Sequence, residues 1–144
     1  MVKLKYKVKT HLLRFIRARK LGITFLRNKT FDIPNSILIR NEKFILSLPK
    51  KRGVSELFRD IILDDEYWLH SLPASQINNI LDVGGNIGLF SVAARICFPQ
   101  ACIHAYEPNQ DVRKHLEHQS STFGFRAIYE AIGKSSGRGT LIKN

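Results

Sequence analysis

Two acids stand where a sheet would present them to a ligand. Asp82 closes the apolar run that includes Ile80 and Leu81, and Gly84, Gly85, Asn86 and Gly88 follow it. Glu107, 25 residues on, closes a second apolar run, Ala101 to Tyr106. A buried strand, a glycine-rich turn and an apolar helix in that order offer backbone N–H groups to a nucleotide-like ligand at the strand's carboxyl end. An acid at the end of the next strand can accept both hydroxyls of a ribose. Gly84 and Gly88 are expected to permit a tight turn and a close approach of ligand to backbone, where a Cβ would intrude. The spacing also narrows the ligand. A nicotinamide fingerprint needs G-x-G-x-x-G, but counting from Gly84 the third position is Asn86 and the sixth Leu89, so a dehydrogenase is disfavoured.

The elements that must position these residues follow from periodicity. Strands are expected over Ile77–Val83, Ala101–Tyr106 and Phe125–Ala131, with helices over Leu89–Ile96 and from Asn109 to about Gln119. Asn109 suits a helix N-cap, Asp111 suits the first turn, and Gly124 breaks the helix. Strand, helix, strand, helix, strand implies a parallel sheet. Upstream, Ser36–Arg40 and Lys43–Leu48 read as a β-hairpin joined at Asn41-Glu42, and residues 55–72 read as a helix, in one or two pieces, with Ser55 as its cap. Beyond Gly133, Ser135-Ser136-Gly137 reads as a turn into Thr140-Leu141-Ile142.

The pattern D-x-G-x-N-x-G from Asp82 to Gly88 resembles motif I of class I S-adenosylmethionine-dependent methyltransferases. With Tyr106-Glu107-Pro108-Asn109, Phe58-Arg59-Asp60 through Tyr67, and Ala131-Ile132-Gly133, it is similar to the FkbM-type family over roughly residues 53–144. The resemblance implies an α/β fold, the class I Rossmann-like doubly wound sheet, of which residues 75–144 supply the first half. It implies S-adenosylmethionine as cofactor and transfer of its methyl to an acceptor, a hydroxyl of a sugar or similar small molecule or glycan. Asp82 would orient the cofactor's amino-acid end. The backbone of Gly84, Gly85, Asn86 and Gly88 would pass close to it. Glu107 would hold the ribose and Asn109 would lie near the adenine; Tyr67 is a further cofactor-side candidate or a packing residue. No side chain in the chain offers itself as a general base, so the catalytic residues stay unassigned. In the resembled family the second half carries the acceptor site, and the chain is therefore expected to be a fragment of a longer protein. One edge of the first strand is then expected to lack a partner, which invites self-association.

Charge divides the chain differently. Residues 1–30 hold ten Lys and Arg and no acid, whereas the remaining 114 are nearly balanced at 13 basic and 12 acidic. Domains are accordingly expected at 1–30 (a basic amphipathic segment), 31–74 (hairpin and helix) and 75–144 (cofactor binding). Within residues 4–20, Leu4, Val8, Leu12 and Phe15 form a helical stripe, with Leu13 and Ile16 beside it. That stripe can pack on the domain with its charges in water, or the helix can lie on an anionic membrane or along nucleic acid, the last the weakest of the three. The alternative function is a catalytically inactive module that docks a membrane or polyanion through this helix. Cys97 and Cys102 lack the second pair a zinc site needs and read as reduced thiols. His115 and His118 lack a third ligand and read as an exposed helix face; His104 reads as a packed strand residue. No targeting signal or span-length apolar run stands in the sequence, and the cytoplasm is the expected location.

Overall fold

Residues 12–20 form a helix, α1. A Schellman turn at Gly22 closes it: Ile23 N–H reaches the Ala18 carbonyl at 2.8 Å and Gly22 N–H the Arg19 carbonyl at 3.1 Å. The computed structural model describes residues 12–24 and 33–141, so Leu4 and Val8 of the expected stripe lie outside the described residues. The chain falls into two compact units, the first ending at Leu72 and the second beginning at Pro73.

In the first unit, β1 (Ser36–Ile39) and β2 (Glu42–Ile45) pair antiparallel with Ile39 opposite Glu42. The two-residue turn is Arg40-Asn41, one residue earlier than expected. Both residues have positive φ, 52° and 67°, which matches the twist of the flanking strands. Helix α2 (Val54–Phe58) starts after Gly53. Ser55 therefore lies inside the helix, and its hydroxyl donates to the Glu56 carboxylate at 2.8 Å instead of capping. The helix then widens into a π turn over Arg59–Leu63. The expected helix over 55–72 ends there because Asp65 competes for the backbone. Its carboxylate accepts the N–H groups of Leu69 at 2.7 Å and His70 at 3.3 Å, leaving a single 3₁₀ turn at Leu69–Ser71.

In the second unit, β3 (Asn79–Val83), β4 (Cys102–Tyr106) and β5 (Arg126–Ile128) form a parallel sheet in the order β3-β4-β5. Helices α3 (Leu89–Cys97) and α4 (Arg113–Phe123) connect them. This βαβαβ unit has the parallel order of an open, doubly wound α/β sheet, with β3 at the sheet edge among the described residues. Ile103 and Ala105 are buried, as are Leu89, Val92 and Ala94 of α3 and Leu116 and Phe123 of α4. The opposite face is exposed at β3, where Leu81 is 58% and Val83 61% exposed. The N-cap of α4 is Val112, three residues later than the expected Asn109, because the Asn109 side chain accepts the Asp111 N–H at 3.0 Å and forms a turn of its own. Residues 129–141 contain no regular element.

The lower end of this unit hangs on Arg95. Its guanidinium donates to the carbonyls of Pro99 and Ala101 at 2.8 Å each, Phe123 at 3.0 Å and Gly124 at 2.6 Å. One planar fork thus ties the entry to β4 to the end of α4, where a cation also complements the helix dipole. Arg95→Ala should destabilise the second unit by about 2–4 kcal/mol, since four carbonyls lose a charged donor. Arg95→Lys should recover only part of this. Urea unfolding of the full-length protein measures both, and an unchanged midpoint for Arg95→Ala would contradict the role.

Candidate functional site

The glycine-rich turn is folded over the end of β4. Gly84 and Gly85 both donate their N–H to the Tyr106 carbonyl at 2.9 Å, and Gly88 N–H closes the turn on the Gly85 carbonyl at 2.7 Å. Glu107 extends β4 by one residue, its N–H on the Ile128 carbonyl at 2.9 Å. Its carboxylate then joins the two loops. Oε2 accepts the Asn86 N–H at 2.9 Å and Oε1 accepts the Asn109 N–H at 2.8 Å. A carboxylate has about four lone-pair positions, so each oxygen retains capacity for a further donor. Glu107 is half-buried and Asn86 exposed with φ of 48°.

Asp82 lies beneath the turn, 7% exposed. Its Oδ2 accepts the Ser91 hydroxyl, in the first turn of α3, at 2.7 Å. Burial pushes its carboxyl above the ordinary aspartate range; the Ser91 bond opposes this, and the nearby Glu107 charge adds to the rise. Ser91 went unnoticed in the sequence, although its place in the helix following the turn is the signal that could have found it.

The glycines divide by role. At Gly84, φ is +86° and a Cβ would meet nothing within 4 Å, so the turn leaves open space there. At Gly88, φ is +84° and a Cβ would come within 3.2 Å of Gln119 and Leu116. Gly88 therefore serves the packing of α4 and not the approach of a ligand. Gly85, too, is limited by the chain, its missing Cβ 3.2 Å from that of Ala105. S-adenosylmethionine, the cofactor the resemblance implies, fits this arrangement on two observations. Open space lies over Gly84, and the carboxylate fixed at the end of β4 has acceptor capacity left for hydroxyls.

The structure thus brings together Asp82, Gly84, Gly85, Asn86, Gly88, Glu107 and Asn109 around one turn. Tyr67 belongs to the other unit and is exposed. The histidine expectation needs correction: His115 is buried, because α4 turns that side inward with Leu116 and Gln119. His104 is half-buried, with Nε2 3.6 Å from the exposed Cys102 Sγ. Both cysteines are free thiols, and no group of three metal-ligating side chains occurs among the described residues. A cleft of about 840 Å³ lies at the opposite end of the sheet, lined by Arg95, Cys102, His104, Phe123 and Arg126, away from the turn.

No family model matches the chain. It is similar to ribosomal RNA small subunit methyltransferase G of Brevibacillus brevis, with 24% identity over 127 residues, 86% of this chain and 52% of that protein. It is 36% identical over 89 residues to methyltransferase sdnD of Sordaria araneosa, covering 59% of this chain and 33% of that one. It is also 36% identical over 52 residues to the 31-O-demethyl-FK506 methyltransferase FkbM of Streptomyces tacrolimicus, covering 36% and 20%. The chain spans about half the length of the first of these and a third or less of the others. All three are methyltransferases by name, and two of the names state different acceptors. A SAM-dependent methyltransferase from Agrobacterium tumefaciens superposes with a TM-score of 0.46 and 15% identity over 76% of this chain and 37% of that one.

Two outcomes follow from the geometry. Because the Asp82 pKa is raised on folding, its contribution to stability is full below the ordinary aspartate range and is lost as pH rises through its folded value. Asp82→Asn cannot ionise, so its stability relative to the parent should increase from acid to neutral pH. Thermal melts of full-length protein across that window test this, and a difference independent of pH would refute it. Gly88→Ala should cost about 2 kcal/mol or more, from the left-handed backbone and the contact with α4 together. Gly84→Ala should cost less, having only the backbone strain; equal losses on chemical unfolding would contradict the division of roles.

Proposed function

We propose that the protein is an S-adenosylmethionine-dependent methyltransferase of FkbM type that methylates a hydroxyl of a sugar or similar small molecule. The observation that carries the reading is the Glu107 carboxylate, held by Asn86 and Asn109 at the end of β4 beside open space at Gly84. Fixing the carboxylate in advance reduces the ordering needed when ribose hydroxyls bind. Asp82, held by Ser91, lies under the turn as a second negative group and would orient the cofactor's amino-acid end. Asn109, anchored by its own N–H, would flank the adenine. The cofactor supplies a methyl group on a sulfonium, and the chain's residues bind and orient it. The similarity to three named methyltransferases supports methyl transfer in general, and the FkbM match supports the finer reading over 36% of the chain. A cytoplasmic location belongs to the same reading. Separately, no described helix is long and apolar enough to cross a membrane.

Calorimetric titration of S-adenosylhomocysteine into the full-length protein tests the site. Glu107→Ala should weaken binding by about 1.5–3 kcal/mol, the value of charge-assisted hydrogen bonds lost in a crevice. An unchanged affinity would remove Glu107 from the site, and no binding by the parent would overturn the cofactor assignment. Radiolabelled methyl transfer to a panel of sugars against ribosomal RNA then separates the hydroxyl acceptor from a nucleic acid one.

A further inference from the structure

Helix α1 has its amphipathicity reversed. Its inward side carries Arg14, Arg17 and Ala18, followed by Leu21. Arg14 pairs with Asp64 through both nitrogens of its fork, side chains 15% and 19% exposed. Arg17 donates to the Leu63 carbonyl at 3.0 Å and to Asp65 at 3.2 Å. Of the readings open for its apolar stripe, packing on the domain does not hold for Leu12, Ile16 and Leu13, which face outward at 58%, 40% and 39% exposed. On a helix of 3.6 residues per turn, Leu12 and Ile16 stand at the centre of this face, and exposed Arg19 and Lys20 accompany them in the last turn.

We infer that this face of α1 docks on an anionic lipid bilayer. Arg19 and Lys20 share the face with Leu12 and Ile16 one to two turns further on, so their long stems can carry the charges up to lipid phosphates while the apolar side chains enter the hydrocarbon boundary. Charge complementarity selects that occupant. The two inward arginines are neutralised by Asp64 and Asp65, whereas Arg19 and Lys20 remain outward, and the sequence before them holds Lys3, Lys5, Lys7 and Lys9 with no acid. A nucleic acid would satisfy these charges but leave Leu12 and Ile16 in water. A second copy of the helix would bury the apolar face but set Arg19 and Lys20 against like charges. An anionic bilayer meets both requirements.

The test is co-sedimentation of the full-length protein with vesicles of phosphatidylcholine alone and of phosphatidylcholine mixed with phosphatidylserine. Binding is expected to the mixed vesicles at low salt, falling as salt is added, and not to the neutral ones. The pair Leu12→Gln and Ile16→Gln should lower partitioning by roughly tenfold or more. Arg19→Gln and Lys20→Gln should each lower it by about fivefold. All four side chains are exposed, and circular dichroism verifies that each variant stays folded. Absence of binding to the mixed vesicles overturns the inference, as does binding that survives the apolar pair. Light scattering that shows a dimer dissolved by the apolar pair, without vesicle binding by the parent, would assign the face to a second copy and overturn it as well.

Discussion

The Glu107 carboxylate is the interaction on which the upper end of the sheet depends. The loops leaving β3 and β4 have separate backbones, and one ionised group accepts an N–H from each. Hydrogen bonds to a carboxylate are shorter and stronger than those between neutral groups, so one side chain fixes the separation of the two loops. The Tyr106 carbonyl does the same from the backbone, accepting from both Gly84 and Gly85. The residue assigned by its spacing to a ribose is thus also a structural tie. Architecture and binding capacity share one carboxylate, because its lone pairs outnumber the two backbone donors.

The residues around this turn were legible in the sequence because each type is demanded by local geometry. A strand running into a glycine turn, with an acid at the end of the next strand, leaves few alternatives, and the parallel order follows from the alternation of elements. The neighbours across space were not legible. Gly88 looks like a ligand-facing glycine until α4 is folded against it, and Arg95 looks like a surface charge until four carbonyls converge on it. Local competition by short polar side chains explains the displaced boundaries. Asn109 spends its side chain on Asp111, and α4 starts later; Asp65 caps Leu69, and a long helix becomes a short one followed by a π turn.

The direction of α1 shows the same limit from another side. Periodicity establishes that a helix has an apolar stripe; it does not say which side faces the protein. That is decided by acids some 50 positions away, Asp64 and Asp65, which draw Arg14 and Arg17 inward. Placing partly buried ions in pairs is favourable only when the remaining donors are also met. The Leu63 carbonyl meets one of those of Arg17.

The two acids at the glycine turn also bear on the sign of the ligand. Burial and the neighbouring charge of Glu107 both raise the proton affinity of Asp82. An anionic group over the turn, such as the pyrophosphate of a dinucleotide, would raise it further and meet repulsion from both carboxylates. A ligand bearing an ammonium or a sulfonium works in the opposite direction. Its positive charge favours the ionised form of Asp82 and offsets part of the cost of burying that carboxylate. The failed dinucleotide spacing and the electrostatics of the folded turn are separate observations, one of residue order and one of buried charge. Both weigh against a dinucleotide, and both involve Asp82, the first residue of the pattern and the group that the fold places under the turn.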